Sequence, residues 1–506
     1  MNLALALLLV SGFLGLLITL KQLWPLRRYL ALVAIIATII FVIFLLIMGN
    51  MFVFVDIICF LALYQSFNYF RIIKSKVQPE HLRRISQTTA LRLLLAQLLI
   101  TALGLSAKYA KLSISDPIIF GVSGCILGLI MLVSTMQNVA EANKRHAVKK
   151  LIEAELPTLT VCIPARNETD SLTACLNTLT ANDYPKLEIL VLDDHSTDRR
   201  TPEIIRSFAH DGVVFIPGST FNNEWLAKNW AYEQLLEMSN GEVVLFCGAD
   251  TRFSPDALKI FVSMLINDHK KMLSVMPRND YVPWKFSWIQ PLRYAWEISL
   301  PRRSLHRPSV LPTCWLAQRK FLLESGSFKA VSRRISPESY FARLALNENG
   351  YGFLQYPELL SQKPYSEQLE TVLRLRYPQL RRQPETVALL TLVETLGGLY
   401  LVANLITVMF DHSLVLLSLG LFGFILFSIT FGQVFGLTYR RRMYLVYILW
   451  PIMLLIDIGL MHISMWKYEF GTVLWKGRSV SPMVMRHSAF EAPDEVFVHS
   501  SSENIH

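Results

Sequence analysis

Three stretches decide the fold: TLTVCIPARNE (158–168), LEILVLDDHSTD (187–198) and VVLFCGAD (243–250). Each is a short β-branched, apolar run that stops at turn-forming or acidic residues. A fourth run, VVFI (213–216), lies between them, and amphipathic helical spacing fills 169–181 and 226–238. Strands alternating with helices predict a parallel α/β sheet, whose ligands bind beyond the carboxyl ends of the strands. Those ends carry Pro164-Ala165-Arg166-Asn167-Glu168, then Asp193-Asp194-His195-Ser196-Thr197-Asp198, and Gly248-Ala249-Asp250. Gathering their carboxylates is costly unless cations or hydrogen-bond donors answer them. A divalent ion with a nucleotide is the economical answer, because Mg2+ or Mn2+ takes one or two protein carboxylates and completes its shell with diphosphate oxygens. Taken singly, DDHSTD also reads as an Asx turn with a helix cap, and Asp250 as a turn residue before a helix near Pro255. Their coincidence at several strand ends favours a site.

Outward from these strands, the chain stops resembling a soluble protein. Of its 506 residues 52% are hydrophobic and 17% charged, with a mean hydropathy of +0.37. An ordinary soluble domain is about 25% charged, so a purely soluble, disordered or collagenous chain is excluded. The apolar residues gather into runs at 3–20, 29–48, 51–66, 93–107, 117–136, 386–410, 413–435 and 443–466, against the roughly 20 residues a membrane-crossing helix needs. The expected organisation is a membrane block over 1–136, a globular domain over 150–385, a second membrane block over 386–466 and a polar tail over 467–506. Residues 3–20 lack a preceding basic residue and a following cleavage site, and read as a retained span.

Lys and Arg concentrate in 21–29 and 67–92, which the positive-inside rule assigns to the cytoplasm together with Lys144, Arg145, Lys149 and Lys150. The domain is therefore expected on the cytoplasmic face of the cell membrane. Three further spans would put Lys467, Lys476 and Arg478 on the opposite side, whereas any binding role for Trp475-Lys476-Gly477-Arg478 needs the domain's side. The six cysteines show no CxxC spacing and read as free thiols, without structural zinc. The net charge of +10 lies largely beside the apolar runs, where it serves topology and anionic lipid, so no nucleic-acid partner is expected. Asp56, Glu394 and Asp457 fall inside apolar runs, where an ionisable group demands a partner.

VCIPARNE (161–168), VLDDHSTD (191–198) and GAD (248–250) together resemble the nucleotide-sugar-binding half of family 2 glycosyltransferases, which have the GT-A fold. The resemblance extends over about 150–385. WLAKNWA (225–231) is similar to the WxGKxxA segment of a membrane-bound branch that glycosylates lipids, carotenoid glucosyltransferases among them. Gly326-Ser327-Phe328 looks like the GGF turn near the acceptor site, and WKGR (475–478) also suits that branch. The resemblance implies a GT-A-like domain between transmembrane blocks. Its implied reaction is inverting transfer of a sugar from a nucleotide sugar, UDP-glucose-like, to a membrane lipid at the cytoplasmic face, with Mg2+ or Mn2+.

By the same resemblance Asp194 holds the nucleoside and Asp250 the metal on the diphosphate, Lys228 adds positive charge, and Pro164, Arg166, Glu168, Asp193 and Ala249 complete the donor site. Three departures stand out. The family's DxD reads Gly248-Ala249-Asp250, without its first carboxylate. Its acidic pair falls on Glu338-Ser339, leaving Glu338 as the nearest candidate base. Its QxxRW reads Gln379-Leu380-Arg381-Arg382-Gln383, with Arg382 as the implied phosphate ligand. A membrane-flanking anchor explains these arginines as well. The aromatic and basic stretch Trp284–Trp288, with Tyr294, Trp296 and Arg302, suits either an interfacial acceptor region or the domain core. A processive polysaccharide synthase would want the acidic pair and QxxRW intact. A domain that binds nucleotide sugar without turnover is the reading the departures leave open.

Overall fold

The computed structural model describes residues 12–47, 53–74, 79–109, 116–142, 150–220, 225–279, 308–361, 365–380, 382–439, 444–476 and 478–480, with Ala295, Ile298 and Ser299. The stretch Trp284–Trp288 and Tyr294, Trp296, Arg302, Arg381 and Gly477 lie outside the described residues. The chain divides into two compact units: Met1–Ala102 with Glu469–Leu474 and Ser479–His506, and Leu103–Tyr468 with Trp475–Arg478.

The first unit contains a helical stretch over 12–18, then α1 (Arg27–Ile47), α2 (Val53–Lys74) and most of α3 (Pro79–Tyr109). Asp56 lies in α2. The basic stretch 67–92, expected as a loop, is almost wholly helical, since its Leu, Arg, Gln and Ala are good helix formers. Its polar side chains face one another across α2 and α3. Arg71 Nη2 donates to Asn68 Oδ1 at 2.8 Å and Thr89 Oγ1 at 3.1 Å, and Asn68 Nδ2 donates to Ser86 O at 3.0 Å.

In the second unit the apolar runs of the globular domain form a mixed sheet. Its strands are β1 (Leu159–Ala165), β2 (Leu187–Asp193), β3 (Val213–Pro217), β4 (Val243–Cys247), β5 (Thr251–Arg252), β6 (Met272–Asn279), β7 (Cys314–Gln318) and β8 (Tyr351–Ser361). The order is β3-β2-β1-β4-β7-β6-β8-β5; the first four are parallel, and β7 turns antiparallel to both its neighbours. Side chains of β1 alternate between two cores, Val161 and Ile163 into one with Leu245 and Phe261, Cys162 into the other with Tyr232, Phe246 and Trp315. Burial on both faces is why these strands read as unbroken apolar runs. The helices that cover the sheet are α5 (Asp170–Thr180), α6 (Arg200–Ser207), α7 (Ala227–Met238), α8 (Ala257–Asn267), α9 (Arg319–Glu324) and α10 (Glu338–Asn347). All six cysteines are buried and outside any disulfide.

The same unit contains α4 (Asp116–Ala142), α11 (Tyr365–Gln379), α12 (Pro384–Glu394), a π-helical turn (Thr395–Leu399), α13 (Tyr400–Asp411), α14 (Leu414–Thr438) and most of α15 (Val446–Phe470). Among the described residues five helices are long and apolar enough to cross a membrane: Leu82–Leu103, Pro117–Ala140, Pro384–Phe410, Leu414–Thr438 and Val446–Phe470. The chain thus reads as a membrane protein. Small residues let these helices meet closely; a Cβ on Gly124 would lie 2.6 Å from Gly397 O. Phe427, Phe431 and Trp450 share a core with Met276 of β6 and Phe353 of β8, so the sheet and these helices are one packed body. Asp457 finds its partner in Arg376 of α11, whose Nη2 also lies 3.9 Å from Glu394. All three are buried, as the cost of a lone charge in an apolar bundle requires.

Candidate active site

The register of the sheet brings the predicted strand ends together. Ala165 pairs with Asp193 across β1 and β2, and Cys162 with Phe246 across β1 and β4. Asp194 N donates to Ala165 O at 2.8 Å, tying the two turns. Asn167, at φ +51°, accepts from Thr197 N at 2.8 Å and Asp198 N at 3.2 Å through its Oδ1. Asp193 Oδ1 accepts from Ser196 N at 3.2 Å and from the Ser196 hydroxyl. Asp193 therefore does fill the turn role, and the neighbouring Asp194 is left for another.

Asp194 is 5% exposed, and its charge is answered from 284 residues downstream. Arg478 Nη1 donates to Oδ1 at 2.7 Å and Oδ2 at 2.8 Å, while Nη2 reaches Asp194 O at 3.3 Å. Arg166 Nη1 donates to Asp194 O and His195 O, each at 2.7 Å, and Arg166 Nε donates to Lys476 O at 3.3 Å. Lys476 Nζ donates to Arg166 O at 2.8 Å and pairs with Glu168. Burial, then the neighbouring Arg478 guanidinium, pushes the Arg166 pKa down. Arg166, Glu168 and Asp194 are thus gathered as expected, but the cations that bind them come from the WKGR segment.

The sequence leaves the side of Lys476 and Arg478 open, and this contact sets both residues beside the strand ends of the domain. At its carboxyl end α14 is fastened to the sheet, with Arg278 Nη2 donating to Gly436 O at 3.2 Å and Gln355 Nε2 to Leu437 O at 3.1 Å. Beyond α15 the chain meets the strand ends again through Lys476 and Arg478. The later half of α15 runs beside α11: Ser464 Oγ donates to Leu373 O at 2.6 Å and Tyr468 Oη to Arg374 O at 2.7 Å.

At the end of β4, Asp250 is 9% exposed and its Oδ2 accepts from Ser361 Oγ at 2.6 Å. Ala249 beside it is buried. A Cβ on Gly248 would lie 2.5 Å from Asp250 Oδ1, so the missing first carboxylate of the DxD pattern leaves the space that this Asp250 rotamer uses. Among the described residues no three His, Cys, Asp or Glu side chains are grouped to hold a metal. A single carboxylate with diphosphate oxygens is nevertheless a fit coordination set for Mg2+ or Mn2+.

The remaining predicted residues have other described contacts. Pro164 is the penultimate residue of β1. Lys228 opens α7, its Nζ 4.9 Å from the centroid of the Tyr232 ring. Burial first, then the nearby Glu338 carboxylate, drives the Tyr232 phenol pKa up. Glu338 begins α10 at 2% exposure, with Oε2 buried and without a hydrogen-bond partner among the described residues. Arg382, at φ +55°, is buried against Tyr468, its guanidinium 4.9 Å from the ring centroid, and its backbone O accepts from Tyr377 Oη at 2.8 Å. The turn at Gly326-Ser327-Phe328 is held by buried Glu233, which accepts from Ser327 Oγ at 2.9 Å and Phe328 N at 2.8 Å. Sequence reasoning missed Ser361 and Glu233, for which no local pattern speaks; for Lys476 and Arg478 the WKGR motif was a signal without an address.

The mixed sheet with acidic strand ends, flanked by apolar helices, defines a GT-A-like domain. Residues 160–326 match the family model for glycosyl transferase family 2, so the chain carries a domain of that family. Over 99 residues it is 35% identical to Glycosyltransferase AglE of Haloferax volcanii, covering 19% of this chain and 31% of that one. Over 179 residues it is 27% identical to the probable glycosyltransferase YdaM of Bacillus subtilis, covering 34% and 42%. The chain therefore spans well under two thirds of the length of both relatives. Among solved structures it is similar to the mannosyltransferase PcManGT from Pyrobaculum calidifontis in complex with GDP-Man and Mn2+, at 18% identity and a TM-score of 0.42, covering 69% of this chain and 99% of that one.

Proposed function

We propose that the protein is an inverting glycosyltransferase that moves a sugar from a nucleotide sugar, UDP-linked, to a membrane lipid at the cytoplasmic face. The observation that carries this reading is the meeting of the β1, β2 and β4 carboxyl ends, with Asp194 and Asp250 on them, inside the residues matched to family 2. Asp194 receives the nucleoside, with Arg166 and Glu168 beside it. Asp250 holds a divalent ion on the diphosphate, and that ion, when bound, offsets the charge that develops on the departing phosphate. Glu338 takes the proton of the acceptor hydroxyl as it attacks opposite the leaving group. What supports Glu338 is a buried carboxylate oxygen that has kept its acceptor capacity. What supports a lipid acceptor is the core shared by the sheet and the apolar helices, which joins the domain to helices long and apolar enough to cross a membrane.

The test is release of nucleoside diphosphate by full-length protein in lipid nanodiscs of mixed lipid content, with several nucleotide sugars, with and without Mn2+. Metal-dependent release that requires an added lipid is the expected outcome. Binding of a nucleotide sugar with no release under any condition would leave the non-catalytic reading, which the Gly248 and Ser339 departures favour. Absence of both binding and release would sink the donor site altogether.

A further inference from the structure

The WKGR segment is a motif to which the transferase reading gives no role, yet it grips three donor-site residues. Arg478 Nη1 bonds both Asp194 oxygens, and Arg166 Nη1 fixes the Asp194 and His195 carbonyls. Lys476 is pinned on Arg166 O and Glu168, which holds the segment where Arg478 reaches Asp194. We propose that Arg478 is a positioning residue of the donor site: it fixes the orientation of the Asp194 carboxylate so that the carboxylate accepts a hydrogen bond from a ring N–H of the nucleobase, which selects donors whose base carries one. This rests on the reading of Asp194 as the nucleoside residue.

A carboxylate offers about four acceptor positions, and Arg478 uses one on each oxygen, so the grip leaves room for a second donor. It does not leave freedom to turn. A carboxylate so held can only accept. Uracil presents N3–H and guanine N1–H to it, whereas cytosine and adenine present a ring nitrogen lone pair at the matching position. Sites built around a buried hydrogen-bonding group reject ligands that leave it unpaired far more strongly than apolar pockets reject a misfit. The selection therefore covers a chemical class of donor, nucleoside diphosphates with an N–H at the pairing edge, and not one sugar.

The experiment compares binding of UDP, GDP, CDP and ADP to full-length wild type, R478Q and R478K in nanodiscs by calorimetry. Wild type is expected to favour UDP or GDP over CDP and ADP by about a hundredfold or more. In R478Q the favoured ligand should lose about tenfold in affinity and the preference should shrink by a similar factor, because the carboxylate is free to turn. R478K keeps the charge without the planar fork and should restore part of the preference. Equal losses for all four ligands, unchanged affinity, tighter binding in R478Q, or a wild-type preference for CDP or ADP would each overturn the proposal. If R478Q does not fold, an unaltered preference in R478K overturns it. Wild type that binds none of the four removes the transferase reading as well; wild type that binds while the preference stays unmoved in the variants removes this inference alone.

Discussion

Two buried aspartates at strand ends on either side of β1 have been given different surroundings. Asp194, after β2, is gripped on both oxygens by a guanidinium from the far end of the chain, while Asp250, after β4, takes a hydroxyl hydrogen bond from Ser361 at the end of β8. The first arrangement fixes a carboxylate with a permanent positive charge. The second orients one with a neutral hydroxyl donor. The strand ends read by themselves give one acidic cluster, the family resemblance assigns its two aspartates different roles, and the structure supplies them with different partners. Under the proposed roles, a residue that recognises a base benefits from being held immobile, and one that meets a metal benefits from an orientation set by a neutral donor.

The largest expected effect tests the reacting side of that contrast. Asp250→Asn should lower nucleoside diphosphate release by about a thousandfold, the scale of losing one preorganised electrostatic contact to a developing charge. Retained release would place the chemistry elsewhere. Next, Glu338→Gln should lower kcat by about a hundredfold or more with little change in KM for the donor, as loss of a general base does. A shift in KM alone would reduce Glu338 to a structural acid at a helix start. On the recognition side, Asp194→Asn leaves the Arg478 guanidinium without its counter-ion and should cost about 2–3 kcal/mol of donor affinity or fold stability, read from calorimetry and the unfolding midpoint.

Two smaller effects sharpen the comparison. Gly248→Ala puts a Cβ 2.5 Å from Asp250 Oδ1 and should turn that carboxylate away from Ser361, for a several-fold loss of release that Ser361→Ala reproduces. The smallest lies at the edge of the domain. Lys150 holds the exposed Asp256 carboxyl below its usual pKa. A depressed folded-state pKa gives stability that is present above the unfolded value and lost as pH falls through the folded one. Lys150→Ala should therefore cost only a few tenths of a kcal/mol near neutral pH, and the difference should vanish in acid. A large loss at neutral pH would show that the pair does more than an exposed one can.

Much of the site is legible in the amino-acid sequence. IPARNE, LDDHSTD and GAD each join a β-branched run to turn-forming or acidic residues, and a strand end is a local event that short sequence reports well. Glu338 at the start of its helix is legible for the same reason. The packing of Arg382 is not: its place in a motif suggests phosphate, and only the fold shows that Tyr377 and Tyr468, the latter from α15, lie against it. The basic stretch 67–92 misleads in the opposite direction, because charge marks a membrane-flanking segment without saying whether it is helix or loop.

The sequence by itself determined β1 to β4, the acidic residues that follow them and the apolar helices on either side, because these depend on periodicity and composition over a few residues. Tertiary structure alone decided which cation answers which acid, that β7 turns the parallel sheet into a mixed one, and that the segment after α15 meets the ends of β1 and β2. These outcomes join residues as far apart as Asp194 and Arg478, 284 positions along the chain, and contacts at that separation follow from how elements pack and not from any local preference.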